Sequence, residues 1–252
     1  MILADRRSDE NSIWQLVESC GYRADLASWS ELTEGSGSVL DLGCGIGRVA
    51  RHLAAQGRAV LGVDRDPQMV ADLNRLATEE RIAAITGDVS ELAGLDLGRD
   101  RFDAIIAPQQ LLHILGSQAT RQRMLAGVKA RLAPEGTAAF AISEIVPPKS
   151  QSVDLLPDVR EIDDWVYASR PVAVETDRES LTVIRLRQVV APDGSLEESH
   201  DSITLDLIDR DSLRRELAEQ GLAVERTIEI PETERHIATV IVVAGHVPTP
   251  DP

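Results

Sequence analysis

Residues 38–48, Ser-Val-Leu-Asp-Leu-Gly-Cys-Gly-Ile-Gly-Arg, constrain the fold more than any other stretch of the chain. Val39, Leu40 and Leu42 spell a short apolar strand. Gly43, Gly45 and Gly47 follow at once, and Val49, Ala50, Leu53 and Ala54 then recur at helical spacing. This succession is strand, glycine turn, helix. Glycine is required where backbone must approach a ligand closely or take positive φ, because a Cβ would collide there. The helix start adds N–H groups that have no intrahelical partner. Such a turn is built to hold a nucleotide-like ligand.

The class of ligand follows from the acidic residues nearby. Gly45-Ile46-Gly47-Arg48-Val49-Ala50 fits the G-x-G-x-x-G/A dinucleotide fingerprint, with Asp64 standing 19 residues beyond Gly45. A nicotinamide dinucleotide oxidoreductase is therefore one reading. Asp41, just before the first glycine, argues the other way: a carboxylate there repels a pyrophosphate and suits a cationic ligand. The wording Val-Leu-Asp-Leu-Gly-Cys-Gly-x-Gly resembles motif I of the class I S-adenosylmethionine-dependent methyltransferases. In that family the glycine turn wraps the methionine part of the cofactor. A third reading keeps the fold without the chemistry, as a methyltransferase-like module that binds a ligand or a partner.

The rest of the chain predicts a βα alternation. Ala59–Val63 reads as a second strand ending at Asp64, and Asp66-Pro67 reads as N-cap and first helical residue. Residues 82–85 form a third strand ending near Gly87-Asp88-Val89, residues 102–107 a fourth and residues 137–142 a fifth, after a Pro134-Glu135-Gly136 turn. Ser117 is positioned to cap the intervening helix. Strands alternating with helices imply a parallel sheet covered on both faces. Residues 8–34 predict a helical arm broken near Gly21-Tyr22. Pro147–Ser150 reads as a loop and 154–164 as acidic and irregular. Strand-like runs follow over 166–175, 181–191 and 196–208, the last two joined by a Pro192-Asp193-Gly194-Ser195 hairpin signal. In the third run Ile203, Leu205 and Leu207 alternate with polar residues, as a half-buried antiparallel strand would. A helix returns over 210–220, and strands over 224–230 and 237–244 finish the pattern.

The expected fold is thus α/β, a doubly wound and mostly parallel seven-stranded sheet of the Rossmann-like methyltransferase type with a small antiparallel insertion. The expected divisions are an N-terminal arm (1–34), a cofactor-binding core (35–149 and 209–247), an insertion (150–208) and a loose tail (248–252). By position the insertion resembles the lid of small-molecule methyltransferases such as glycine N-methyltransferase and the amino-sugar N-methyltransferases. A dimerisation sheet is the alternative, which would make the protein a homodimer.

Composition enters through charge. The chain has 252 residues, with 26 basic against 42 acidic residues and a net charge of −16. An acidic surface repels phosphate backbones, so nucleic acid is not the expected partner. No apolar run has the length of a membrane span, the first residues carry no signal-peptide pattern, and the 2 cysteines suit a reducing compartment. The expectation is a cytoplasmic protein acting on a small molecule, away from membranes and without a bound metal.

The resemblance assigns roles by position. Asp41 would lie near the ammonium and sulfonium charges of S-adenosylmethionine, with Gly43, Cys44 and Gly45 forming the turn. Asp64, with Arg65 beside it, would meet the ribose diol. Asp88 would hold the adenine amino group and the Val89 backbone the ring, a turn or cap role for Asp88 being the alternative. Ala107 ends the fourth strand at the switch-point crevice where open α/β sheets bind ligands. Residues 107–113, Ala-Pro-Gln-Gln-Leu-Leu-His, then border the transferred methyl, and they lack the Asn/Asp-Pro-Pro-Tyr/Phe pattern of enzymes that modify nucleobases or glutamine. Tyr22, Gln110, Trp165 and Tyr167 are candidate substrate contacts, Tyr22 having core packing as its alternative. His113 is the candidate catalytic residue. Among the five histidines it is the one best placed near the crevice, and its side chain titrates near neutral pH. Its alternative is packing between Leu112 and Ile114. Asp103 reads as structural.

Overall fold

The structure, a computed structural model, describes residues 10–77, 81–144, 151–152, 155–233 and 236–247. The loop expected at 147–150, the tail and the first residues of the arm lie outside these.

Two helices open the chain, α1 (Glu10–Glu18) and α2 (Leu26–Leu32), with the break where Gly21-Tyr22 predicts it. The alternation then runs β1 (Val39–Leu42), α3 (Arg48–Ala54), β2 (Val60–Asp64), α4 (Pro67–Leu76), β3 (Ile82–Thr86), a 3₁₀ helix (Val89–Gly94), β4 (Phe102–Ala107), α5 (Leu111–Ile114), α6 (Gln118–Arg131) and β5 (Leu132–Ile142). Among the described residues five strands follow without a helix: β6 (Gln151–Ser152), β7 (Asp158–Ile162), β8 (Trp165–Thr176), β9 (Ser180–Val190) and β10 (Leu196–Asp206). The chain ends with α7 (Arg210–Glu219), β11 (Leu222–Ile230) and β12 (Thr239–His246). The caps act as their chemistry dictates. The Asp66 side chain accepts from the Gln68 and Met69 amides at the start of α4, and the Ser117 side chain from the Thr120 amide at the start of α6.

Among the described residues the strands form two sheets. The first has seven strands in the order β11-β12-β5-β4-β1-β2-β3, all parallel except β12, which runs antiparallel between β5 and β11. β1 and β4 are near-continuous apolar runs because helices cover both faces. On one face Leu40, Leu42, Ile105 and Phe140 pack with Met124, Leu125 and Val128 of α6 and Leu213 and Leu217 of α7. On the other, Val39, Ile106, Ala141 and Val243 meet Trp29, Val49 and Leu53.

The second sheet is antiparallel, in the order β10-β9-β8-β6 with β7 also paired to β8. Here two expectations change. Residues 158–162, expected to be irregular, are strand β7. Their turn to β8 is the pair Asp163-Asp164, both at positive φ (49° and 66°), the backbone of a tight two-residue hairpin made with aspartate in place of the usual Asn-Gly. In β10 the apolar alternation buries only its inner end: Leu205 is 2% exposed and Ile203 37%. The outer part of the strand, from Leu196 to Ser202, is exposed except for the half-buried Asp201. The Pro134–Gly136 turn lies within β5 as an irregularity, since Phe102 pairs with Leu132 before the register shifts to Ala104 with Thr137.

Ionic joints hold the second sheet at the points where the chain leaves and re-enters the first. Glu144, just past β5, accepts from the backbone N–H and the guanidinium of Arg210, the first residue of α7. Arg121 of α6 donates to both carboxylate oxygens of Glu216 (3.1 and 2.9 Å) and to Asp206 at the end of β10 (2.8 Å). Arg121 and Glu216 are buried. Removing one member of such a set leaves a buried charge without compensation. Arg121→Met is therefore expected to lower unfolding stability by about 3–5 kcal/mol, read from urea denaturation.

Candidate active site

The β1–α3 turn reverses tightly enough that the Gly43 and Cys44 amides both donate to the Val63 carbonyl of β2 (2.8 and 3.1 Å). Gly45 and Gly47 take φ of 53° and 82°, a region an L-side chain enters only with strain. The turn therefore sits at the carboxyl ends of β1 and β2, beside the neighbouring end of β4.

Asp41 lies on β1 beneath this turn and is 1% exposed. Its Oδ1 has no hydrogen-bond partner among the described residues. Burial raises its pKa to about 7; the Arg48 charge works against that shift and Asp64 adds to it. Asp64, ending β2, holds the turn itself: Oδ2 accepts from the Gly45 amide (2.8 Å) and Oδ1 from the Asp66 amide (2.9 Å). Each oxygen keeps a second lone pair for a ligand. Asp88 follows β3, is exposed, and accepts from the Ser90 amide (2.8 Å) as cap of the 3₁₀ helix. That bond is the main reason its pKa is lowered. Val89 beside it is buried.

A cleft enclosing about 310 Å³, counting space open to solvent, runs along the turn. Asp41, Gly43, Cys44, Arg48, Pro108 and Gln109 line it from the core. Gln109 takes φ 57°, uncommon for a side chain of its kind. The opposite wall is α1 and the turn after it: Gln15, Ser19 and Cys20. Burial raises the thiol pKa of Cys20, and of Cys44 still more, so neither is a ready nucleophile. Arg48 is clamped by both carboxylate oxygens of Asp25 at 2.7 Å, which ties the arm to α3. Among the described residues no group of three or more potential metal ligands occurs, and no helix is long and apolar enough to cross a membrane.

Other candidates are placed elsewhere. His113, the candidate catalytic residue, is 1% exposed. Its Nδ1 lies 2.7 Å from the Asp206 carbonyl and its Nε2 accepts from the Ser143 amide at 3.0 Å. This makes it a neutral Nδ1–H imidazole that joins α5, the end of β5 and the end of β10. Both ring nitrogens thus meet backbone groups, the arrangement of the packing alternative. Tyr22 packs in the core with Leu26 and Trp29, under the Arg48 guanidinium (5.2 Å) and beside the His236 ring (4.4 Å). Tyr167 meets Trp14 of α1 edge-on at 5.7 Å, and Trp165 packs against the same cluster. Both aromatics face the arm. Arg65 is exposed, Gln110 caps α5 with its carbonyl, and Ala107 is buried under the sheet's end. Asp103 is structural, exchanging hydrogen bonds with Ser38.

Gln15 and Ser19 give no signal in the sequence, and Cys20 shows there only as part of the apolar stripe of the arm with Ile13, Leu16 and Val17. They lie outside any motif, and only the docking of α1 brings them to the turn. Arg48 and Gln109 could have been found, the first as the last residue of the glycine motif and the second as part of the segment after β4.

Residues 39–136 match the family described as methyltransferase domain. Among curated relatives, the protein YqeM of Bacillus subtilis (strain 168), named as a methyltransferase, is 28% identical over 130 residues, 47% of this chain and 51% of its own. An uncharacterized RNA methyltransferase, SYNW1228 of Parasynechococcus marenigrum (strain WH8102), is 28% identical over 170 residues, 58% of this chain and 34% of its own. The chain thus spans about half or less of the length of these two. Among solved structures, the CcbJ methyltransferase from Streptomyces caelestis superposes with a TM-score of 0.72 at 18% identity, covering 97% of this chain and 100% of that one. CalS10 from Micromonospora echinaspora, described as an amino pentose methyltransferase with S-adenosylmethionine bound, gives 0.71 at 18%, over 93% and 97%. The chain shares the fold of these class I methyltransferases, and residues 39–136 are the part that matches the methyltransferase-domain family.

The geometry of His113 carries a pH prediction. Burial holds its pKa below the ordinary 6.5, so protonation favours the unfolded chain. Arg121 opposes a charge on the ring and Asp206 favours one. Its stabilising contribution is present above the unfolded-state pKa and is lost as pH falls below it. Denaturation from about pH 7.5 to 5 is expected to show wild type losing more stability than His113→Asn over the acidic half of that range.

Proposed function

We propose that this protein transfers a methyl group from S-adenosylmethionine to a nitrogen or oxygen of a small molecule. The observation that carries the reading is Asp41, a buried carboxylate with an oxygen unpartnered among the described residues, beneath a glycine turn. A buried carboxylate with one oxygen unpartnered is costly, and a ligand bearing ammonium and sulfonium charges relieves that cost. A pyrophosphate makes it worse, which disfavours the nicotinamide dinucleotide alternative.

The residues present fit the cofactor. Asp41 faces the cationic end, and Gly43, Cys44 and Gly45 supply the turn around the amino-acid part. Asp64 takes the ribose hydroxyls on the lone pairs left by Gly45 and Asp66. Asp88 and Val89 meet the adenine. When bound, the cofactor supplies a methyl group already activated on sulfonium. What the chain adds is position: the Pro108–Gln110 segment and the second sheet hold the acceptor in line and keep water out. Orientation of this kind contributes about 7–11 kcal/mol of barrier lowering. With His113 bound to backbone on both sides, an acceptor that arrives as a neutral amine fits best, since its lone pair needs no base. The description of CalS10 as an amino pentose methyltransferase, and of another fold neighbour, MtfA, as a glycopeptide N-methyltransferase, supports nitrogen as the acceptor. The insertion acts as a lid, with β8 pressing α1 onto the turn.

The test is the pH dependence of cofactor binding. Asp41 is protonated below about pH 7 in the empty protein, and a cation favours its ionised form. Calorimetry is expected to show affinity for S-adenosylmethionine rising between about pH 6 and 8. Asp41→Asn should cost about 1.5–3 kcal/mol at the upper end, the scale of a hydrogen bond to a charged group, and should flatten the profile. Binding of NAD without S-adenosylmethionine would overturn the reading.

A further inference from the structure

One feature of the cleft belongs to neither the cofactor motif nor the acceptor side. Gln15, on the inner face of α1, lays its carboxamide against Gly45: a Cβ built on that glycine would fall inside the van der Waals radius of the Gln15 Oε1 and Nε2 atoms. Its Oε1 accepts from the Ile46 amide at 2.7 Å. The space that the glycine leaves beside the turn is therefore taken by a side chain of the protein itself. The same carboxamide lines the cleft together with Asp41, whose buried Oδ1 is unpartnered among the described residues.

Helix α1, which carries the carboxamide, is fastened by three of its other residues. Asn11 of α1 donates to Asp66 (2.9 Å), at the start of α4. Trp14 packs on Tyr167, with the Arg187 guanidinium 4.9 Å over its ring. Glu18 accepts from Arg187 (2.8 and 3.1 Å) and from the Ser169 hydroxyl (2.7 Å). Through these contacts α1 is fastened to the second sheet as well as to the core.

We propose that Gln15 is a built-in occupant of the amino-acid subsite, an autoinhibitory contact that the cofactor must displace. The inference rests on the cofactor reading above. A carboxamide oxygen on the Ile46 amide stands where the α-carboxylate of a methionine moiety would accept the same hydrogen bond, and the two cannot share the space. Gln15 packs on Gly45 and bonds to the Ile46 amide, and among the described residues no hydrogen bond joins it to Asp64 or Asp88. The competition is therefore confined to the amino-acid half of the ligand. Entry of the cofactor requires Gln15 to swing out, or α1 to lift together with the sheet fastened to it.

The experiment compares two ligands on the full chain. S-adenosylhomocysteine carries the amino-acid part, and 5′-methylthioadenosine lacks it. In Gln15→Ala, and in Gln15→Asn, whose carboxamide falls one methylene short, the affinity for S-adenosylhomocysteine should rise roughly 2- to 12-fold, the scale of one hydrogen bond. The affinity for 5′-methylthioadenosine should not change. Hydrogen exchange at the Ile46 amide should be faster in both variants. An unchanged or weaker affinity for S-adenosylhomocysteine would overturn the proposal, as would parallel changes for the two ligands, which mark a general loosening of α1. An Ile46 amide that exchanges at the wild-type rate in folded Gln15→Ala would do the same. If wild type binds neither ligand, the cofactor reading fails and the proposal falls with it, an outcome distinct from a wild type that binds both.

Discussion

The candidate site depends on one backbone reversal. After β1 the chain turns so sharply that two successive amides, Gly43 and Cys44, share the Val63 carbonyl of the adjacent strand. Positive φ at Gly45 and Gly47 completes the turn. The reversal leaves the buried carboxylate of Asp41 directly below, and the Asp64 carboxylate bonds back to Gly45. Residue 62 must also be small, because the Cys44 sulfur and Cβ fill the place where its Cβ would stand. Two neighbouring parallel strands and one turn thus form a single unit, and β4 brings Pro108 and Gln109 to its edge.

Around this unit the molecule is assembled through helix α1. One face of α1 meets the turn through Gln15 and packs Ile13 and Val17 with Ile46. The other meets the second sheet, where the Trp14–Tyr167 contact and the Glu18 ion pairs form a mixed aromatic and ionic joint. An aromatic pair of this kind adds about 0.5–1.5 kcal/mol beyond its buried area. The insertion is therefore coupled to the glycine turn by a helix from the other end of the chain.

At the base of the insertion His113, Arg121 and Asp206 serve a different purpose. The Asp206 carbonyl meets the imidazole and its side chain meets the guanidinium. The histidine that proximity to the crevice marks for chemistry is spent on holding the returning strand. Burial and two backbone partners decide this, and neither is visible in the spacing of a histidine from the end of a strand.

The contrast between Asp41 and His113 shows what was legible in the sequence. The alternation of apolar strands with capped helices determined the seven-stranded sheet, because strand period, helix period, glycine turns and Asp-Pro caps are local and each requires its neighbours in sequence. The same locality placed Asp41, Asp64 and Asp88 at three strand ends, since a parallel sheet collects those ends on one edge. Strand β7 was obscured because its turn is made by Asp163-Asp164, which carries no glycine signal. Only tertiary structure decided what covers the turn. Gln15 stands 31 residues before Ile46, and Trp14 and Glu18 meet partners more than 150 residues away in Tyr167, Ser169 and Arg187. Contacts of that range depend on how the second sheet packs on α1, a matter of surface complementarity that leaves no periodic trace in the chain.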